Sequence, residues 1–130
     1  MFVDASAMVA ILTGEADGPA LIAAIDGASG LITSPIAIWE TVVRLMSKTT
    51  LSESEASGTV QQFLAASGIA TIAIGADEAA RATSAYARCR HPADLNMGDC
   101  FAYACAKAHG VALLYIGNDF GETDVNEGFG

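Results

Sequence analysis

The 130-residue chain has few basic residues: six Lys and Arg stand against fifteen Asp and Glu, so its formal net charge is −9. Proteins that bind nucleic acid through a broad basic face need a clustered excess of Lys and Arg. The composition therefore argues against that mode of nucleic-acid binding.

Cysteine and histidine are also scarce, with three Cys and two His in the whole chain. The three cysteines are Cys89, Cys100 and Cys105, and no two of them have a CxxC spacing. This pattern argues against a disulfide framework and against a zinc site. We expect reduced and mostly buried thiols, and neither histidine is well placed to act as a general base.

A secretory signal is not visible, because the N-terminus has no basic segment followed by a long apolar run. The longest stretch without a charge covers residues 56–76, but it contains Gln61, Gln62 and three glycines. Such a stretch is a poor candidate for a lipid-spanning helix. We expect a cytoplasmic protein with no membrane segment.

Apolar residues are plentiful at 52% against 16% charged, which excludes disorder and allows a real core. The length suits one domain over residues 1–130. Short apolar strands alternate with helices, a pattern typical of a parallel sheet covered on both faces. We predict an α/β fold, a three-layer α/β/α sandwich with four to five parallel strands. The predicted strands are 2–3, 31–33, 69–74 and 111–116, and the predicted helices are 7–12, 18–28, 35–48, 52–67, 77–90 and 97–109.

Two acidic residues directly follow predicted strands. Asp4 comes after the first strand, and Asp119 comes just after the last one. Because the carboxyl ends of parallel strands meet at one edge of the sheet, we expect a functional site there. Asp99 lies in the first turn of helix 97–109, with Asn96 as its expected N-cap. Stabilisation of the helix dipole is the simplest interpretation of Asp99.

Glu40 lies in the middle of helix 35–48 among apolar neighbours, and an ordinary ion pair with Arg44 at i+4 would explain it. The four acids considered together suggest a shared cation site. Carboxylates that converge have raised pKa values unless a cation compensates them. Ligand sets made only of oxygen favour Mg²⁺ or Mn²⁺, which can activate water for hydrolysis of a phosphodiester.

Four segments around these acids are Val3-Asp4-Ala5-Ser6-Ala7, Glu40 in Trp-Glu-Thr-Val, Asn96-Met-Gly-Asp99-Cys-Phe-Ala-Tyr103, and Gly117-Asn-Asp119-Phe-Gly-Glu-Thr123-Asp124. Together they resemble the motifs of PIN-domain ribonucleases, and more closely those of the VapC toxins of bacterial type II toxin–antitoxin modules. The match extends over essentially the whole chain. It implies an endoribonuclease that depends on Mg²⁺ or Mn²⁺ and cleaves structured RNA, either tRNA or ribosomal RNA.

The resemblance also implies residue roles and partners. Asp4, Glu40, Asp99 and Asp119 correspond to the catalytic, metal-binding set. Supporting positions around that set are Ser6, Asn96, Thr123 and Asp124, although Ser6 could instead cap the first helix. The family acts as a homodimer. A VapB-type antitoxin silences it with a basic C-terminal tail, from which an arginine can replace a metal among the carboxylates.

Phosphate contacts need cations, and the candidates nearest the acids are Arg44, Lys48, Arg88 and Arg90. Arg44 and Lys48 follow Glu40 one turn apart, whereas Arg88 and Arg90 shortly precede Asp99. The alternative is that each is simply a solvated surface residue.

Two other functions are compatible with parts of this pattern. A receiver-type phospho-acceptor domain has a similar length and acids at strand ends, but it needs an early acid pair and a Lys after the last strand, which this chain lacks. A catalytically weak PIN-fold protein that mainly binds its antitoxin would keep the fold without the chemistry.

Overall fold

Four short parallel strands form the centre of the fold in the computed structural model, which describes residues 1–93 and 95–117, with the backbone alone at 89–93. The sheet has the order β3-β2-β1-β4, and every neighbouring pair is parallel. The predicted parallel α/β architecture is confirmed. The strands are β1 (Phe2–Val3), β2 (Ile32–Thr33), β3 (Ala70–Thr71) and β4 (Leu113–Leu114).

Six helices in the described residues connect and cover these strands. They are α1 (Ala5–Leu12), α2 (Gly18–Asp26), α3 (Pro35–Lys48), α4 (Glu53–Ser67), α5 (Ala76–Ala93) and α6 (Met97–His109). None of them is long and apolar enough to cross a bilayer.

Helix ends follow the local capping signals in the sequence. The Ser34 hydroxyl accepts a hydrogen bond from the Ala37 backbone N–H at 3.1 Å and starts α3. Ser52 and Glu55 form a reciprocal capping box at the start of α4. Helix α6 ends at Gly110, whose φ of 62° is left-handed and therefore favours glycine.

Strands β1 and β4 are buried on both faces of the sheet. Successive residues of a strand point to opposite faces, and Phe2, Val3, Leu113 and Leu114 all have no solvent exposure. Both faces must therefore be covered by helices, which confirms the three-layer arrangement. A single hydrophobic cluster extends from β1 to β4 through these strands and the helices around them. Cys100 and Cys105 are buried thiols in that cluster, as expected.

Two predicted strands are longer than the paired strands in the structure. The strand in segment 69–74 covers Ala70 and Thr71, and the strand in segment 111–116 covers Leu113 and Leu114, with a separate isolated bridge at Ile116. A strand can pair only along the length of its partner strand. β4 pairs with β1 and β3 pairs with β2, and these partners are each two residues long. β3 also lies at the sheet edge, which leaves both of its residues exposed. Helix α5, in contrast, extends beyond the predicted limits 77–90 at both ends.

The strand order places β1 between β2 and β4. The residues that follow these three strands therefore lie side by side at one edge of the sheet. Asp4 is the middle one of them.

Candidate functional site

Asp4 is the N-cap of α1, directly after β1. Its Oδ2 accepts hydrogen bonds from the Ser6 backbone N–H at 3.0 Å and from the Ser6 hydroxyl at 2.6 Å. The residue is only 5% exposed. Burial raises the pKa of the Asp4 carboxyl, while the bonds from Ser6 and the charge of Arg44 oppose the rise.

Ser6 connects Asp4 with the other end of the described chain. Its hydroxyl O–H donates to Asp4 Oδ2, and its hydroxyl oxygen accepts from the Ile116 backbone N–H at 3.0 Å. The alternative that Ser6 caps α1 is wrong, because Asp4 is the cap and Ser6 lies inside the first turn. Ser6 instead joins the segment after β4 to the carboxylate after β1.

Asp99 and Asn96 form a capping box at the start of α6. The Asp99 N–H donates to Asn96 Oδ1 at 2.9 Å, and the Asn96 N–H donates to Asp99 Oδ2 at 3.1 Å. The helix-stabilising interpretation of Asp99 is therefore confirmed. It does not exclude a second role, because an ionised carboxylate can accept about four hydrogen bonds or metal contacts.

Glu40 reaches from α3 across to the first turn of α6. Its carboxylate lies against the Cα of Gly98, so close that a Cβ on that glycine would be 2.6 Å from Glu40 Oε2 and nearer still to Oε1 and Cδ. Only glycine leaves room for Glu40 in this position. Gly98 has no role among the predicted site residues. The available signal was a glycine inside a helix, which usually has a packing reason.

The three acids act on one another electrostatically. The pKa of Glu40 is raised to about 7: burial is the largest cause, the charges of Asp4 and Asp99 add to the rise, and Arg44 opposes it. Arg44 Nη2 lies 4.0 Å from Glu40 Oε2. The structure thus brings Asp4, Glu40 and Asp99 together, with Arg44 beside them. We call these three acids the acidic cluster.

Other predicted site residues lie elsewhere or outside the described residues. Lys48 contacts Glu15 at 3.1 Å rather than an acid of the cluster. Arg88 is exposed, and its Nε donates to the Ser84 carbonyl oxygen at 3.4 Å. Outside the described part of the chain are Asp119, Thr123, Asp124 and the side chain of Arg90.

The acidic cluster is compatible with a hard divalent cation. All its donors are carboxylate oxygens, and their mutual repulsion is what such a cation relieves. Within residues 1–93 and 95–117, however, no three Asp, Glu, His or Cys side chains are arranged closely enough to hold a metal by themselves. Mg²⁺ suits a site with few direct protein ligands, because it keeps several of its waters.

Comparison with known proteins agrees with these features. The chain matches the PIN domain family model over residues 1–126. It is 37% identical over 139 residues to VapC ribonuclease R02377 of Rhizobium meliloti, covering 95% of this chain and 98% of that protein. It is 39% identical over 129 residues to Ribonuclease VapC of Mycolicibacterium smegmatis, covering 96% and 97%.

Solved structures share the fold at lower identity. The crystal structure of VapC20 of Mycobacterium tuberculosis, a sarcin–ricin loop cleaving toxin, has a TM-score of 0.78 at 18% identity and covers 97% of this chain and 96% of that one. A toxin–antitoxin complex from Klebsiella pneumoniae has a TM-score of 0.71 at 18% identity and covers 95% and 92%. The relatives, the family match and the fold agree: this chain belongs to the PIN-domain family, among the VapC ribonucleases.

Proposed function

We propose that the chain is an endoribonuclease toxin that uses a divalent metal to hydrolyse phosphodiester bonds in structured RNA. The observation that supports this most strongly is the convergence of three buried or half-buried carboxylates at the sheet edge, where Asp4 and Asp99 raise the pKa of Glu40. Such a like-charged cluster costs folding free energy. A cation at this point offsets that cost.

Asp4, Glu40 and Asp99 would hold Mg²⁺ or Mn²⁺, and we propose Asp119 as the fourth ligand. When bound, the cation supplies an activated water and offsets negative charge on the phosphate. Ser6 orients Asp4 through its 2.6 Å hydrogen bond, and Asn96 fixes Asp99 through the capping box.

Further supporting residues complete the proposed site. We propose Thr123 and Asp124 as supporting residues near the fourth ligand. Arg44 lies beside Glu40, where its guanidinium could contact a substrate phosphate. Lys48, Arg88 and Arg90 remain the other proposed phosphate contacts.

The RNA target belongs to the class of structured RNAs, either tRNA or ribosomal RNA. The fold neighbour that cleaves the sarcin–ricin loop supports ribosomal RNA as one candidate. Both RNAs are cytoplasmic, and so would be the toxin.

We further propose a VapB-type antitoxin with a basic C-terminal tail as the partner, and a homodimer as the working unit. The net charge of −9 and the acidic cluster complement such a tail. Trp39, next to Glu40, is 61% exposed, and Val43 and Met46 continue an exposed apolar strip along α3. This strip gives an antitoxin an apolar anchor directly beside the acids.

The deciding experiment is a cleavage assay on purified tRNA and ribosomal RNA with titrated Mn²⁺ or Mg²⁺. We compare the wild type with Asp99→Asn, because asparagine can keep part of the helix cap. Wild-type cleavage should require the metal and stop in EDTA, and Asp99→Asn should lower it by at least about 100-fold, since metal-assisted charge stabilisation is worth several kcal/mol.

The control is Asp26→Asn, which removes an exposed acid at the end of α2 and should cleave like the wild type. Equal cleavage by all three proteins, or cleavage that persists in EDTA, would contradict the proposal. If antitoxin binding persists with no cleavage by any of them, the chain is a binding module with the PIN fold.

A further inference from the structure

A groove with three cationic side chains runs between α5 and α6. Arg81 and Arg88 line it from α5, and Lys107 lines it from α6, with Ser84 and Tyr103 between them. Its volume is about 530 Å³. We call it the basic groove.

The basic groove contains a large share of the few positively charged residues of the chain. The whole chain has six Lys and Arg residues, and the structure describes the side chains of five of them. Three of those five line this groove. The other two, Arg44 and Lys48, lie on α3, each beside a glutamate. In an acidic protein, this clustering indicates a surface for a negatively charged ligand.

Helix geometry connects the basic groove with the acidic cluster. Tyr103 and Lys107 follow Asp99 on α6 by four and eight residues, so the three lie on one side of the helix, successively about 6 Å apart along its axis. On α5, Arg81, Ser84 and Arg88 have the spacing i, i+3, i+7 and also share a face. The α6 side of the groove, formed by Tyr103 and Lys107, therefore begins about one helical turn beyond Asp99.

The contacts of Arg81 and Arg88 leave both guanidiniums able to bind a ligand as well. Arg81 Nε donates to Asp77 Oδ2 at 2.9 Å, but both side chains are exposed, and exposed ion pairs are weak. Arg88 uses Nε for the Ser84 carbonyl, one of about five N–H donors of a guanidinium. Lys107 lies in the last turn of α6, where a cation also favours the helix dipole.

We propose that the basic groove is a second RNA-binding site, which holds backbone phosphates of the RNA whose scissile bond lies at the acidic cluster. This inference rests on the proposed ribonuclease function and adds the place where the substrate is held. Along a helical strand, consecutive nucleotides rise by about 3 Å, so the distance from Asp99 to Lys107 spans about four nucleotides. Contacts of this kind position the RNA and do not read its sequence.

The test compares two triple variants with the same change in charge. Arg81→Gln/Arg88→Gln/Lys107→Gln removes three positive charges from the groove. Ser54→Glu/Gln61→Glu/Gln62→Glu adds three negative charges on exposed positions of α4, away from the groove. Both variants shift the net charge by −3, so general repulsion of RNA is the same. Circular dichroism melting curves establish that each is folded.

Binding of a fluorescein-labelled RNA hairpin is measured by anisotropy in EDTA, between about 50 and about 200 mM salt. Each phosphate contact contributes about 0.7–0.9 to the slope of log Kd against log salt, so we expect the groove variant to lower that slope by about 2. Its affinity at low salt should fall at least 10-fold, about 1.4 kcal/mol, relative to the α4 variant.

Equal slopes for the two variants would overturn the proposal, since net charge alone would then explain RNA binding. Normal RNA affinity together with lost dimer formation, measured by light scattering, would also overturn it and would indicate a protein interface. If the triple variant does not fold, the single-substitution variants Arg81→Gln and Arg81→Lys replace it in the binding assay. The lysine variant should bind RNA more tightly than the glutamine variant, and equal binding would count against the groove.

The ribonuclease function is measured separately. If the chain is a ribonuclease, the groove variant should still cleave saturating RNA in Mn²⁺, with a raised KM and a nearly unchanged kcat. Loss of all cleavage in the wild type would refute the proposed function, whereas an unchanged KM in the groove variant would refute only the groove.

Discussion

The acidic cluster and the basic groove carry opposite charges, and they differ in burial: the acids are shielded from solvent, whereas the cations lie on the surface. The three acids are buried or half-buried, and hydrogen bonds or a tight fit against Gly98 hold each of them in place. The three cations lie on helix surfaces, and among their contacts the Arg81–Asp77 pair is exposed to solvent. Burial therefore makes the acids strongly coupled to each other and to folding, whereas solvent screens the cations. The two regions should respond very differently to substitution.

The largest effect on stability is expected from Glu40→Gln in metal-free protein. The pKa of Glu40 is raised from 4.5 to about 7, so the folded state holds a proton that the unfolded state has released between these values. Stability is therefore lost as the pH rises from about 4.5 to about 7, and it stays low above that. Glutamine carries no charge, so at pH 8 we expect the variant to be more stable by about 2–3 kcal/mol.

Urea denaturation of both proteins at pH 4 and pH 8 in EDTA measures this difference. The gain should nearly vanish at pH 4, and Mg²⁺ should stabilise the wild type more than the variant. A variant that is equally or less stable at pH 8 would contradict the coupling of the three acids.

A smaller effect, on activity rather than folding, is expected from Gly98→Ala. The added methyl group would collide with the Glu40 carboxylate, the mobile end of a side chain, so the fold persists while Glu40 is displaced. We expect RNA cleavage to fall about 10-fold, about 1.4 kcal/mol, in a single-turnover assay.

Gly58→Ala is the matched control, because it changes a helical glycine on α4 that has nothing within 4 Å of an added Cβ. It should leave cleavage unchanged and stabilise the protein by about 0.5–1 kcal/mol. Equal cleavage by the two alanine variants would show that the position of Glu40 does not matter.

The smallest effect on stability is expected in the basic groove. Arg88 is exposed, and its hydrogen bond to the Ser84 carbonyl spans 3.4 Å, so Arg88→Gln should change the free energy of unfolding by less than about 0.5 kcal/mol. Thermal melts at low and high salt measure this change. A decrease in the free energy of unfolding above about 1 kcal/mol would show that the cations of the groove support the fold. The acidic cluster and the basic groove would then not differ in their contribution to stability.

Much of the fold could be predicted from local signals. Helices α3, α4 and α6 begin at capping residues that the sequence displays, and α6 has the predicted limits of 97 and 109. Strand lengths could not be predicted, because the extent of a ladder depends on the partner strand. The apolar segment 69–74 looks like a buried strand, yet it pairs at the sheet edge over only two residues.

The sequence was enough to identify the three acids of the cluster, but not to predict what their side chains contact. Asp4, Glu40 and Asp99 were identified by apolar surroundings, by element ends and by the family resemblance. The fit of Glu40 on Gly98 depends on how α3 meets α6, which no local pattern encodes. The pairing of Lys48 with Glu15 likewise joins residues 33 positions apart, and it was missed.

Local patterns in the sequence sufficed to predict the parallel α/β class, the family and Asp4 at the sheet edge, because periodicity, capping and motif spacing are local and are written in residue order. The three-dimensional fold was needed to show that the charges of Asp4 and Asp99 act on Glu40, that Ser6 joins Asp4 to the segment after β4, and that three of the scarce cations line one groove. These arrangements depend on packing between elements distant in sequence. The low content of basic residues argued against a broad basic face, and the structure shows how three of them form a narrow one.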